Sequence, residues 1–159
     1  MVKELIHDPL LLARKSTDAA KEDLSIARDL LDTLAAPAAL VIALARFAEF
    51  ASGEGIGLEV ENSFFQRFPF AVYNPDWEVW FFAIFVAEGL VALAIAAFLQ
   101  WKKFTRPGDR AKTFLVLYCS AQILLESLRR DEFLRWLFVR VSQLTAVLVL
   151  AGMMFCALW

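Results

Sequence analysis

One histidine and two cysteines occur among 159 residues. A single histidine, His7, excludes a multi-histidine metal centre, and nothing at catalytic spacing surrounds His7-Asp8-Pro9. Cys119 and Cys156 both lie in apolar runs. They form neither a disulfide framework nor a zinc-ligand spacing. No metal and no cofactor is therefore expected. Charge is also scarce: 21% of residues are charged and 60% are apolar. Soluble domains run at roughly 45–50% apolar and about 25% charged. That contrast excludes a disordered chain and argues against a water-soluble globule. The formal net charge of −2 offers no basic field, so no nucleic acid is expected as a partner. No internal repeat and no low-complexity tract is visible.

What the chain does have is long apolar runs. Residues 81–100 carry one charge, Glu88, between Trp80 and Trp101. Twenty apolar residues rising 1.5 Å each cross roughly 30 Å of hydrocarbon, and tryptophan at both ends fits the interfacial aromatic belt. Residues 141–159 hold no charge and are flanked by Trp136 and Trp159. Residues 113–128 are shorter and hold Gln122 and Glu126, which reads as a span with its polar face turned inward. Residues 34–51 form another apolar run, with Asp32 and Thr33 as caps and Pro37 in the first turn. Lipid leaves unpaired backbone groups without partners, so each span is read as a helix.

The predicted fold is all-α: a polytopic membrane protein with four transmembrane helices (about 34–51, 80–101, 113–128 and 141–159) and an amphipathic N-terminal helix. It divides into a cytoplasmic amphipathic segment, 1–33, and a four-span membrane domain, 34–159. Leu24, Ala27, Leu31 and Leu34 recur at helical spacing in the first segment, with Ser16 to Asp18 as caps. No apolar core of signal-peptide length is visible there. Segments 1–33 and 102–112 together hold ten Lys and Arg. The opposite side holds five: Arg67, Arg129, Arg130, Arg135 and Arg140. The excess puts both termini in the cytoplasm. The outer arginines run against that rule, so they either bind an anion or cap helix ends. The 52–76 loop, with Gly53, Gly55, Gly57, Pro69 and Pro75, is expected to be the longest irregular piece.

Ionisable residues inside spans are costly and functional by default. Arg46, Glu49, Glu88 and Glu126 are such residues. Arg46 and Glu49 are spaced to pair on their own helix. Tyr118, Gln122 and Glu126 share one helical face, which Arg129 continues a turn later. Their plain alternative role is interhelical hydrogen bonding. A guanidinium beside a glycine-rich loop at the outer end of a span suits a lipid phosphate, which arginine grips through two N–H groups. A polar groove open to the outer leaflet is expected, lined by Arg46, Glu54, Glu88, Tyr118, Glu126 and Arg129.

Three stretches together resemble the prolipoprotein diacylglyceryl transferase family. Ala35-Ala36-Pro37 through Ala45-Arg46-Phe47-Ala48-Glu49-Phe50-Ala51-Ser52-Gly53-Glu54-Gly55-Ile56-Gly57 is similar to its "APA…GRLGNFxNGExxG" signature. Ala87-Glu88 stands at the place of its Leu-Tyr-Glu. Tyr118 through Arg129 resembles "YxxxRFxxExxR", and Val141-Ser142-Gln143 resembles the "SxGQ" that follows. Glu49, Ala45 and Gln122 replace the family's asparagine, first glycine and arginine, and no His-Gly-Gly motif occurs. Family members carry further spans upstream, so the chain is expected to correspond to the C-terminal four-span part of a divergent, shortened or inactive member.

The resemblance implies an enzyme of the bacterial cytoplasmic membrane. It would move diacylglycerol from phosphatidylglycerol to the lipobox cysteine of a preprolipoprotein signal peptide. It assigns catalytic roles to Arg46, Tyr118 and Glu126. Substrate binding falls to Arg46, Arg129, Glu54, Gly57, Glu88 and Gln122. Arg46 and Arg129 would hold the phosphate, Glu126 would act as base or position the lipid, and Tyr118 would donate a hydrogen bond. The alternative is a non-enzymatic membrane protein that binds anionic lipid or partner helices. A small transporter relaying protons through Glu88 and Glu126 has no inverted repeat to support it.

Overall fold

The structure, a computed structural model, describes residues 23–129, 135–136 and 139–158. The expected roles of His7, of the caps Ser16 to Asp18, of Arg130 and of Trp159 lie outside the described residues. Four helices and two small sheets follow in the order α1 (Asp23–Ser52), β1 (Ile56–Glu59), β2 (Ala71–Asn74), β3 (Val79–Ala83), α2 (Ile84–Trp101), α3 (Asp109–Glu126), β4 (Arg135–Trp136), β5 (Val139–Arg140) and α4 (Val141–Leu158). Among the described residues two helices, α1 and α2, are long and apolar enough to cross a membrane, and α4 contributes a shorter apolar run, Val141–Phe155. The polar N-terminus of α3, with Asp109, Arg110 and Lys112, lowers its apolar character.

The chain is mostly helical, but the all-α expectation is corrected by an antiparallel sheet of order β1-β3-β2. Its central strand, VWFFA, takes the first residues of the expected 80–101 span, so α2 starts at Ile84. Branched and aromatic side chains suit a pleated, half-buried surface, and Phe81 is fully buried there. Tyr73 faces Trp80 across the β2–β3 pair, with ring centroids 5.4 Å apart. The Asn74 Oδ1 accepts the Asp76 and Trp77 N–H groups, an Asx turn that reverses the chain into β3. Residues 56–59 and 71–74 of the expected irregular 52–76 loop are therefore paired with β3, and the rest of it stays outside the strands.

Helix α1 runs unbroken through residues 33 and 34, so the expected helix start there is corrected as well. Pro37 lies in its interior. The Thr33 hydroxyl donates back to the Asp29 carbonyl. Asp32 caps a different helix. Its carboxylate accepts the Gly108 N–H at 2.7 Å and the Ala111 N–H at 2.8 Å, at the N-terminus of α3. That end has no side-chain cap of its own, and a carboxylate there also meets the positive end of the helix dipole.

The core sits where Ala35, Ala36 and Ala39 of α1 meet Ile95, Ala96 and Leu99 of α2, with Phe104, Phe114 and Tyr118 packed against them. Small residues on α1 let the two backbones approach closely. Gly89 serves the same purpose from α2, because a Cβ there would lie 2.7 Å from Phe47 Cζ. This close packing brings the C-terminal end of α1 beside the N-terminal end of α2, where the chain's buried charges collect.

Candidate functional site

Six ionisable side chains converge at that end of the helices. Arg46 and Glu49 sit one turn apart on α1, and the Arg46 Nη1 pairs with the Glu49 Oε1. The Arg46 Nε lies 3.2 Å from Glu88 Oε2 on α2. Arg129, just past α3, places Nη1 2.9 Å from the same Glu88 oxygen and Nη2 3.1 Å from Glu49 Oε2. Two guanidiniums and two carboxylates therefore close a ring across three segments.

A second knot adjoins it. Gln122 donates to Glu126 Oε2 at 2.7 Å, and Arg140, at the end of β5, lies 3.2 Å from Glu126 Oε1. The other Arg140 nitrogen donates to the Arg129 carbonyl, which joins the knots. Gln143 donates to the Ile123 carbonyl at 3.1 Å and ties α4 to α3. Three guanidiniums thus face three carboxylates, and the cluster is balanced. Glu88, Gln122, Glu126, Arg129 and Arg140 are all buried. Such pairing is what makes buried charge tolerable, since losing one partner costs about 3–5 kcal/mol.

Local backbone chemistry sets the geometry. Gly55 has φ +72°, and a Cβ there would press on Glu49 Oε2 and on Phe85 Cβ. Glycine is thus required for the loop to close over Glu49. Gly57 forms an isolated antiparallel bridge to Arg129, and a Cβ there would collide with the Ile84 side chain. The glycine motif packs the loop against the arginine-bearing segment.

The sequence-derived residues are not all brought together. Arg46, Glu88 and Arg129 touch one another, and Gln122 and Glu126 stand beside them. Tyr118 joins Arg46, Glu88 and Gln122 around a cavity of about 10 Å³, room for roughly one water. That cavity stands where the wide polar groove was expected. Glu54 is exposed and lies elsewhere, on a hollow of about 190 Å³ with Phe50, Ile56 and Tyr73. A larger apolar hollow, about 360 Å³, is lined by Phe47, Phe50, Phe68, Phe85 and Val86. Glu49, a candidate in the sequence as a charge inside a span, is more than a local pair for Arg46, because it also meets Arg129. Arg140 joins the cluster without being an expected site residue, and its one signal in the sequence is its place directly before the apolar run of α4.

The family model described as prolipoprotein diacylglyceryl transferase matches residues 17–159. Neither the curated proteins nor the solved structures compared with the chain include a match.

Proposed function

The chain belongs to the prolipoprotein diacylglyceryl transferase family, and we propose that it moves diacylglycerol from phosphatidylglycerol to the lipobox cysteine of a preprolipoprotein. The observation that supports this best is the convergence of Arg46 and Arg129, from two segments, on one buried carboxylate oxygen. A phosphate group needs such paired forks.

In this proposal the substrate thiol loses its proton and the sulfur bonds to the glyceryl carbon that bears the phosphate ester. That carbon–oxygen bond breaks, and glycerol phosphate leaves with the electron pair. Negative charge grows on the phosphate, where Arg46 and Arg129 stabilise it. Both Glu126 oxygens are engaged, by Gln122 and Arg140. Glu126 is therefore assigned to positioning. Glu88, whose Oε1 has no hydrogen-bond partner among the described residues, is assigned as the thiol's proton acceptor. Tyr118, beside the same cavity, donates to a phosphate or ester oxygen. Gly57 and Gln122 shape the site, and Glu54, exposed on a separate hollow, is left out of it. The proposed setting is the bacterial cytoplasmic membrane, with α3 and α4 completing four spans and both termini in the cytoplasm.

The test is a transfer assay with labelled phosphatidylglycerol and a lipobox peptide holding one cysteine. Label is expected on the peptide with the wild type and not with Arg46→Ala. No label with the wild type overturns the proposal. A non-enzymatic alternative, retention of anionic lipid or a partner helix, is favoured by one observation: no His-Gly-Gly motif occurs in the sequence. It predicts salt-sensitive lipid retention without turnover.

A further inference from the structure

Glu49 stands where an incoming anion would stand. One of its oxygens meets Arg46 and the other lies 3.1 Å from Arg129, so a single carboxylate spans two guanidiniums on different segments. A phosphate offering two oxygens would bridge the same forks. Glu49 is also the most accessible carboxylate of the cluster. Its side chain is 16% exposed, against 4% for Glu88 and 5% for Glu126. Arg46 is exposed to a similar degree. The Arg46–Glu49 edge is thus the side of the cluster that solvent reaches.

The charge balance makes simple addition of an anion unfavourable. Three carboxylates already neutralise three guanidiniums, and a further buried negative charge would have no partner. Withdrawal of the Glu49 carboxylate into water restores the balance when a phosphate arrives. The surroundings select the kind of phosphate. Phe85 touches the same Gly55 position that lies against Glu49 Oε2. With Phe47, Phe50, Phe68 and Val86 it lines the apolar hollow of about 360 Å³. A ligand whose phosphate took the place of Glu49 would have an apolar surface alongside for its hydrocarbon chain.

We infer that Glu49 is a built-in anion occupying the seat of a lipid phosphate, and that lipid binding is an exchange in which the phosphate displaces the Glu49 carboxylate from Arg46 and Arg129. This rests on the proposal above that these two arginines hold the phosphate. It adds that the resting site is closed by its own side chain.

The test reads binding without turnover. Detergent-solubilised wild type, Glu49→Gln and Glu49→Asp are titrated with phosphatidylglycerol, with phosphatidylcholine and with glycerol phosphate, and Glu59→Gln on exposed β1 is the control. Glu49→Gln is expected to bind phosphatidylglycerol about tenfold more tightly than the wild type, with a much smaller gain for glycerol phosphate and none for phosphatidylcholine. Glu49→Asp keeps the charge but is too short to span both forks, and it is expected to gain in the same direction. If Glu49→Gln does not fold, this variant decides. Wild-type affinity in the folded variants overturns the exchange. A gain for glycerol phosphate equal to that for the lipid overturns the lipid as occupant. A wild type that binds by exchange yet transfers no label overturns the transferase proposal and leaves this inference standing.

Discussion

Arg140 offers the sharpest check on the buried cluster, because its place before the apolar run of α4 is all that announces it in the sequence. Its side chain is 7% exposed, and its Nη1 lies 3.2 Å from Glu126, which is 5% exposed. Its second nitrogen donates to the Arg129 carbonyl. Arg140→Met leaves the Glu126 carboxylate with only the Gln122 amide, at 2.7 Å. An uncompensated buried charge costs about 3–5 kcal/mol, and loss of the bond to the Arg129 carbonyl adds about 1 kcal/mol. In the double variant Arg140→Met with Glu126→Gln, both charges are gone and only the carbonyl term persists. The single variant should therefore lose about 4–6 kcal/mol and the double about 1 kcal/mol. The double variant should thus lose at least about 3 kcal/mol less than Arg140→Met alone, the non-additivity that residues sharing one network show. The assay is equilibrium unfolding in detergent with the two single variants and the double. A single-variant loss below about 1 kcal/mol, the range of exposed pairs, would refute the buried-pair reasoning, and so would simple additivity.

Asp32→Ala removes the cap that α1 supplies to α3, and it should destabilise the protein by about 1–2 kcal/mol, while Asp32→Asn should lose less because one acceptor oxygen remains. Thermal unfolding of the pair checks this, and equal loss in both would contradict the cap. Gly89→Ala brings a Cβ to 2.7 Å from Phe47 Cζ. It should cost about 1–3 kcal/mol by overpacking, with recovery in the double variant Gly89→Ala with Phe47→Leu.

The apolar runs made α1 and α2 legible, since few other sequences fill twenty positions with so little charge. Arg46, Glu88, Gln122, Glu126 and Arg129 were legible for the converse reason: polar groups inside such runs must find partners. What they pair with was not written locally. Arg140 lies eleven positions from the carbonyl it holds, and Asp32 lies 76 positions from Gly108. Only the packing of the helices reveals either contact. The sheet was hidden for another reason. Val79 to Ala83 is apolar and precedes an apolar helix, so the strand merged with the span. A short apolar run alone does not separate the two. The partner strand Ala71–Asn74 lies between prolines and reads as loop until its register with β3 is known. Glu54 was placed in the site by its motif position, yet the chain turns at Gly55 and leaves it in solvent.

Because the cluster is balanced, removal of any one charge disturbs the fold as well as the chemistry, so Arg46→Ala alone does not separate the two roles. Arg46→Lys does. Arg46 uses Nη1 for Glu49 and Nε for Glu88, two nitrogens of one rigid fork. Lysine keeps the charge but concentrates it on one ammonium, so one of the two carboxylates loses its direct contact. Stability should then fall by only about 1 kcal/mol, the net value of one hydrogen bond. In the proposed reaction, transfer depends on the fork meeting the phosphate as its charge develops. Loss of one such donor lowers turnover by about 10²–10³-fold. Arg46→Lys should therefore be nearly as stable as the wild type and almost inactive, whereas Arg46→Ala should lose both properties. Unfolding midpoints and transfer rates measured on the same preparations give the split. If Arg46→Lys transfers lipid within about threefold of the wild type, a barrier change below 1 kcal/mol, then Arg46 serves the fold through its charge alone and the two-pronged grip on phosphate is wrong.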